Sequence, residues 1–122
     1  MDAWVIEGVV PPGRQIGHTL GFPTANIALD EGLCERGVYR TQIKVEGIDR
    51  VFDAMSNVGY NPSVGGSELR LESHLFGFEG DLYGRRIWVQ LVEKIRDEIR
   101  FDSVEELRAQ LEKDKEIILK NR

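Results

Sequence analysis

As far as Ile95 the apolar residues of this chain fall in short segments, several alternating with polar residues, separated by clusters of Gly, Pro, Asn and Asp. Successive side chains of a strand point to opposite faces, so this pattern selects strands over helices. The segments are Trp4–Val10, Ala25–Leu29, Val38–Val45, Arg50–Val58, Leu69–Phe78 and Ile87–Ile95. In the last, Ile87, Val89 and Leu91 would line one face and Trp88, Gln90 and Val92 the other. Glu46-Gly47 suits a hairpin turn, and Gly80-Asp81-Leu82-Tyr83-Gly84 a second turn. Asn57–Gly66 is so dense in Gly, Asn, Pro and Ser that it reads as loop. Short strands at this spacing predict an antiparallel sandwich or barrel.

After Ser103 the period changes. Ser103-Val104-Glu105-Glu106 is a capping box, in which the serine hydroxyl accepts from the third helical N–H while Glu106 reaches back. Val104, Leu107, Leu111 and Ile118 then recur at helical spacing and predict one apolar stripe laid on the barrel. Arg108–Glu112 and Glu116–Lys120 would support its exposed side.

With 122 residues the chain has room for one domain and one core, expected as a barrel over about 4–101 and a helix over about 104–120. A net charge of −5 without a basic cluster argues against nucleic acid as a partner. It also means that a polyanionic ligand must be held locally. No run is long and apolar enough to span a membrane. Cys34 is the single cysteine, which excludes an internal disulfide and fits a cytoplasmic setting. A monomer is the expected state.

Two stretches carry chemistry. Between Gly13 and Asn26 the chain places Gly13, Gly17 and Gly21 around Arg14 and His18, then closes with Pro23-Thr24-Ala25-Asn26. Glycine lets backbone N–H groups approach a ligand closely, and a basic glycine-rich turn suits phosphate oxygens. Thr24 and Asn26 share one face if the segment is extended, and such hard oxygens suit Mg²⁺, which binds few protein ligands plus phosphates. The stretch lacks the Gly-Lys-Ser/Thr of a Walker-type loop and the helix opening of a dinucleotide fingerprint. The second stretch is Leu69–Leu75, whose alternation sends Leu69, Leu71 and Leu75 inward and sets Arg70, Glu72 and His74 on the other face. A carboxylate fixed on a strand makes a well-placed general base.

Taken in order, Gly17-x-x-Leu20-Gly21-Phe22-Pro23-Thr24-Ala25-Asn26, Asn57-x-Gly59-x-x-Pro62, Leu71-Glu72-Ser73-His74-Leu75, Asp81-Leu82-Tyr83-Gly84, Ile95-Arg96-x-Glu98 and Phe101-x-Ser103 resemble the riboflavin kinase family. The resemblance runs from about Ile6 to Asp114. It implies a six-stranded antiparallel Greek-key barrel with a C-terminal helix, and transfer of the ATP γ-phosphate to the terminal 5′ ribityl hydroxyl of riboflavin to give FMN. It implies that Thr24 and Asn26 bind Mg²⁺ and nucleotide, that Gly13, Gly17, His18 and Tyr83 lie on the nucleotide, and that Glu72 is the base. Arg96 and Glu98 would close over the flavin. Bacterial relatives often carry an N-terminal adenylyltransferase domain; without it this chain is expected to stop at FMN. The alternative is a non-catalytic flavin- or nucleotide-binding module on the same barrel. It is favoured by His18, where many members carry Arg or Lys.

Overall fold

A computed structural model describes residues 6–10, 24–30, 32, 34–63, 66–99 and 102–120. Within them lie β1 (Ile6–Val9), β2 (Thr24–Ala28), β3 (Gly37–Val45), β4 (Val51–Ser63), β5 (Gly66–Leu75), β6 (Arg86–Arg96) and α1 (Val104–Lys120). All pairings are antiparallel, in the order β1-β6-β3-β4-β5-β2. β3, β4 and β5 follow one another as neighbours and β6 returns beside β3, which is the Greek-key order. The sheet curls until β1 meets β2, where Gly8 lies directly on the Ile27 side chain and leaves no room for a Cβ. The result is a nearly closed six-stranded barrel.

Inside it, the period-two alternation packs Ile43 and Val45 from β3, Leu71 and Leu75 from β5, and Ile87 and Val89 from β6, all fully buried. Phe78, just past β5, meets Phe52 edge-on with ring centres 5.3 Å apart. Three hydroxyls share this interior. Thr41 donates to the Ala54 carbonyl at 3.1 Å, and its oxygen lies 2.8 Å from the Ser56 hydroxyl. Ser56 in turn lies 2.6 Å from Ser73. Each hydroxyl has one proton, so Ser56 donates to Thr41 and Ser73 to Ser56, a row across β3, β4 and β5.

The expected turns form. Gly47 takes φ +82° beside the Ile48 N–H to Val45 carbonyl bond of 3.0 Å. The expected loop Asn57–Gly66 does not: β4 runs on to Ser63 and β5 starts at Gly66, paired Ser63 to Gly66. Among the described residues, β4 beyond Val58, which faces Gly37, has lost β3 and keeps β5 alone. That makes it an edge, where a proline's missing N–H removes no ladder bond. The strand expected to reach Phe78 ends at Leu75. β6 alternates as expected up to Leu91, then two register shifts against β3 bend it.

α1 covers the barrel's outer face. Leu111 and Ile118 are buried with Val38, Met55 and Phe76 in a second apolar cluster, joined by Leu107 and Ile95. The Ser103 hydroxyl accepts from the Glu106 N–H at 3.1 Å, while Glu106 reaches back to the Asp102 N–H at 3.1 Å. Val104 is 54% exposed and does not belong to the stripe. It stands in the first turn, before the helix settles on the sheet. No described helix is long and apolar enough to cross a membrane.

Candidate active site

β5 organises the site because its outer face meets β2 on one side and β4 on the other. Asn26 of β2 and Asn57 of β4 both stand opposite Glu72. Thr24 and Met55 stand opposite His74 in the same way. Ala25 and Ile27 fill the core, so Asn26 takes the outer face that it shares with Glu72. Arg70 donates to the Asn26 Oδ1 across the strands at 3.4 Å, leaving a hard amide oxygen beside the carboxylate. No group of three or more His, Cys, Asp or Glu side chains converges among the described residues. A cation here would therefore take neutral oxygens and the charge of a ligand.

Glu72 is half-exposed at its side chain, whereas His74 is buried. His74 Nε2 stands 3.5 Å from Glu72 Oε1, a long contact across two residues of one strand. The hydrogen bond from His74 holds the Glu72 carboxyl below the usual range, against the opposing effect of burial. The group is thus a carboxylate, ready to accept a proton, at neutral pH.

Between this face and α1 lies a cavity of about 180 Å³. Glu72, His74 and Asn57 line its sheet side and Leu107 and Leu111 its helix side. Arg96 and Glu98, at the end of β6 and just beyond, complete the wall. Both are tied down. Arg96 grips Asp114 of α1 through Nε (3.1 Å) and Nη2 (2.8 Å), and its Nη1 donates to the Asp97 carbonyl at 3.0 Å. Glu98 accepts from Arg36 Nε at 3.1 Å and Nη2 at 2.9 Å, and from Asn57 Nδ2 at 3.4 Å. Its carboxylate rests on Gly59, where any Cβ would collide. The same Arg36 guanidinium stands 5.1 Å from the centre of the Tyr60 ring.

Of the residues singled out from sequence, Asn26, Glu72, Arg96 and Glu98 come together on this outer face. Tyr83 does not line the cavity. It lies in the turn before β6, where its N–H donates to Asp81 Oδ1 at 2.9 Å and the Gly84 N–H bonds the Val10 carbonyl at 2.8 Å. That places it beside the end of β1, from which the glycine-rich stretch departs. Gly13, Gly17, His18 and the side chain of Thr24 lie outside the described residues. Sequence reasoning missed Arg36, whose partner is 62 positions away, and Asp114. The second had a signal: it stands on the helical row Leu107, Leu111, Ile118, so a carboxylate was aimed at the sheet.

The riboflavin kinase family model matches residues 1–121. The chain is 39% identical over 112 residues to the bifunctional riboflavin kinase/FMN adenylyltransferase of Haemophilus influenzae, and 41% identical over 112 residues to that of Escherichia coli K12. Each match covers 91% of this chain and 36% of the relative, so the chain spans little more than a third of their length. The RNA-binding riboflavin kinase RibR of Bacillus subtilis is 40% identical over 90% of this chain and 47% of its own. A crystal structure described as a macrolide-efflux protein from Streptococcus pneumoniae superposes with a TM-score of 0.78 at 37% identity, over 92% of this chain and 37% of that one. With the family model spanning nearly every residue and these relatives at about 40% identity, the chain belongs to the riboflavin kinase family.

Proposed function

We propose that this chain transfers the γ-phosphoryl group of ATP to the 5′ ribityl hydroxyl of riboflavin, giving FMN and ADP. The observation that carries this reading is the register of β2, β5 and β4, which sets the ionised Glu72 between Asn26 and Asn57 at the edge of the cavity. Glu72 accepts the hydroxyl proton as the oxygen bonds to the γ-phosphorus and the bond to the β–γ bridging oxygen breaks. A carboxyl held below its usual range is a weak base. That is enough here, because phosphoryl transfer is mainly positioning and charge neutralisation, with little proton transfer demanded early.

The apolar helix side of the cavity suits a flat heteroaromatic ring, and the polar sheet side suits a polyol. Arg96 and Glu98 would orient that ring system. Thr24 and Asn26 would hold Mg²⁺, to which the amide oxygen of Asn26 is chemically suited. When bound, the ion neutralises charge on the phosphates. Gly13, Gly17 and His18 would approach the phosphate chain, with Tyr83 on the nucleotide side. A net charge of −5 favours small-molecule partners held locally over nucleic acid, and a cytoplasmic monomer is the working form we propose.

The test is FMN formation from riboflavin, ATP and Mg²⁺ by the parent chain and Glu72→Gln. The variant should keep riboflavin and ADP binding while kcat falls by about 10²–10⁴. Turnover near that of the parent would remove Glu72 from its role. A parent that binds riboflavin but forms no FMN would leave the non-catalytic flavin-binding module.

A further inference from the structure

The helix contributes one charged residue to the molecule's interior. Asp114 is 1% exposed and sits on the row of Leu107, Leu111 and Ile118 that faces the sheet. Burying a carboxylate among leucines is costly unless it is paired and hydrogen-bonded. Here Arg96 supplies Nε and Nη2 at 3.1 and 2.8 Å, and Gln110 Nε2 donates at 3.1 Å. A hydrophobic pair of like volume would often hold the helix equally well or better. Adhesion of the helix therefore does not by itself account for the charge.

What the pair does is fix a guanidinium. Two N–H groups along one edge of Arg96 are fastened to Asp114 and a third N–H to the Asp97 carbonyl. Three of its five donors are thus used by described residues, and the plane of the fork is set where Arg96 lines the cavity with Glu72. We propose that Asp114 is a positioning residue for the acceptor site, acting through Arg96, so that α1 is part of the riboflavin-binding machinery and not only a cover. This rests on the kinase reading above.

The test is a double-mutant cycle of Arg96→Met, Asp114→Leu and the two combined, read as riboflavin KM, ATP KM and urea midpoint. Asp114→Leu should raise the riboflavin KM about tenfold, the scale of one lost charge-assisted bond, and leave the ATP KM within about twofold. The combined variant should be no worse than Arg96→Met alone, because the route is already gone. A riboflavin KM unchanged in Asp114→Leu, or losses that multiply in the combined variant, would overturn the proposal. If Asp114→Leu does not fold, Asp114→Asn, which keeps the volume and one acceptor, carries the same comparison. Failure of the parent chain to turn over riboflavin would overturn the kinase reading, and this inference with it.

Discussion

Glu72 and His74 make the site's chemistry a matter of two side chains on one strand. His74 lowers the Glu72 carboxyl pKa, so the group stays ionised to lower pH than an ordinary glutamate. The acid limb of the pH–rate profile for kcat/KM should then lie below the usual glutamate range. Replacing His74→Leu should move that limb upward; a limb that stays in place would mean that Glu72 is not the titrating base. The same shift bears on stability. A lowered folded pKa contributes stability above the unfolded pKa, lost as pH falls through the folded value. With the carboxylate side chain 39% exposed, solvent screens most of that contribution. The shared face of Arg70, Glu72 and His74 was legible, because strand alternation is a strictly local rule. Arg36 on Glu98 was not, since no local pattern announces a partner across the sheet.

At the level of elements, α1 is held by its cap at one end and by Leu111 and Ile118 along its length. Ser103→Ala should cost about 1 kcal/mol, read as a lower urea midpoint with unchanged m-value. A midpoint equal to that of the parent would show that the Glu106 carboxylate caps this end alone. The helix and the cores of all six strands were readable from period and turn residues. The stretch 57–66 was not, because composition reports Gly and Pro but not that β4 has become an edge there. Val104 misled for a related reason: helical spacing counts a residue on the stripe before the helix has reached the sheet.

For the whole molecule, closure depends on the seam between β1 and β2. Nothing in the sequence marks Gly8 as the point of contact, since the pairing of ends is set by the curl of all six strands. Yet Ile27, itself 5% exposed, occupies the space that a side chain at position 8 would need. Gly8→Ala should therefore force β1 outward and destabilise the fold by about 1–3 kcal/mol. Amide hydrogen exchange should quicken in β1 and in the facing residues of β6; protection equal to the parent's would mean that the seam relaxes freely. The described lining of the cavity comes from β3, β4, β5, the end of β6 and α1, away from this seam, so residual barrel should still quench riboflavin fluorescence.

The hydroxyl row through Thr41, Ser56 and Ser73 bears on how the chain finds one alignment among several. A slip of β4 by one residue turns its greasy face to water and is rejected at once. A slip by two keeps the apolar faces matched, placing Ala54 or Val58 where Ser56 belongs. Only the serine can tell the difference, because its displacement strands the neighbouring hydroxyls in a dry interior at about 1–3 kcal/mol each. Three small alcohols thus proofread an error that oiliness alone would pass.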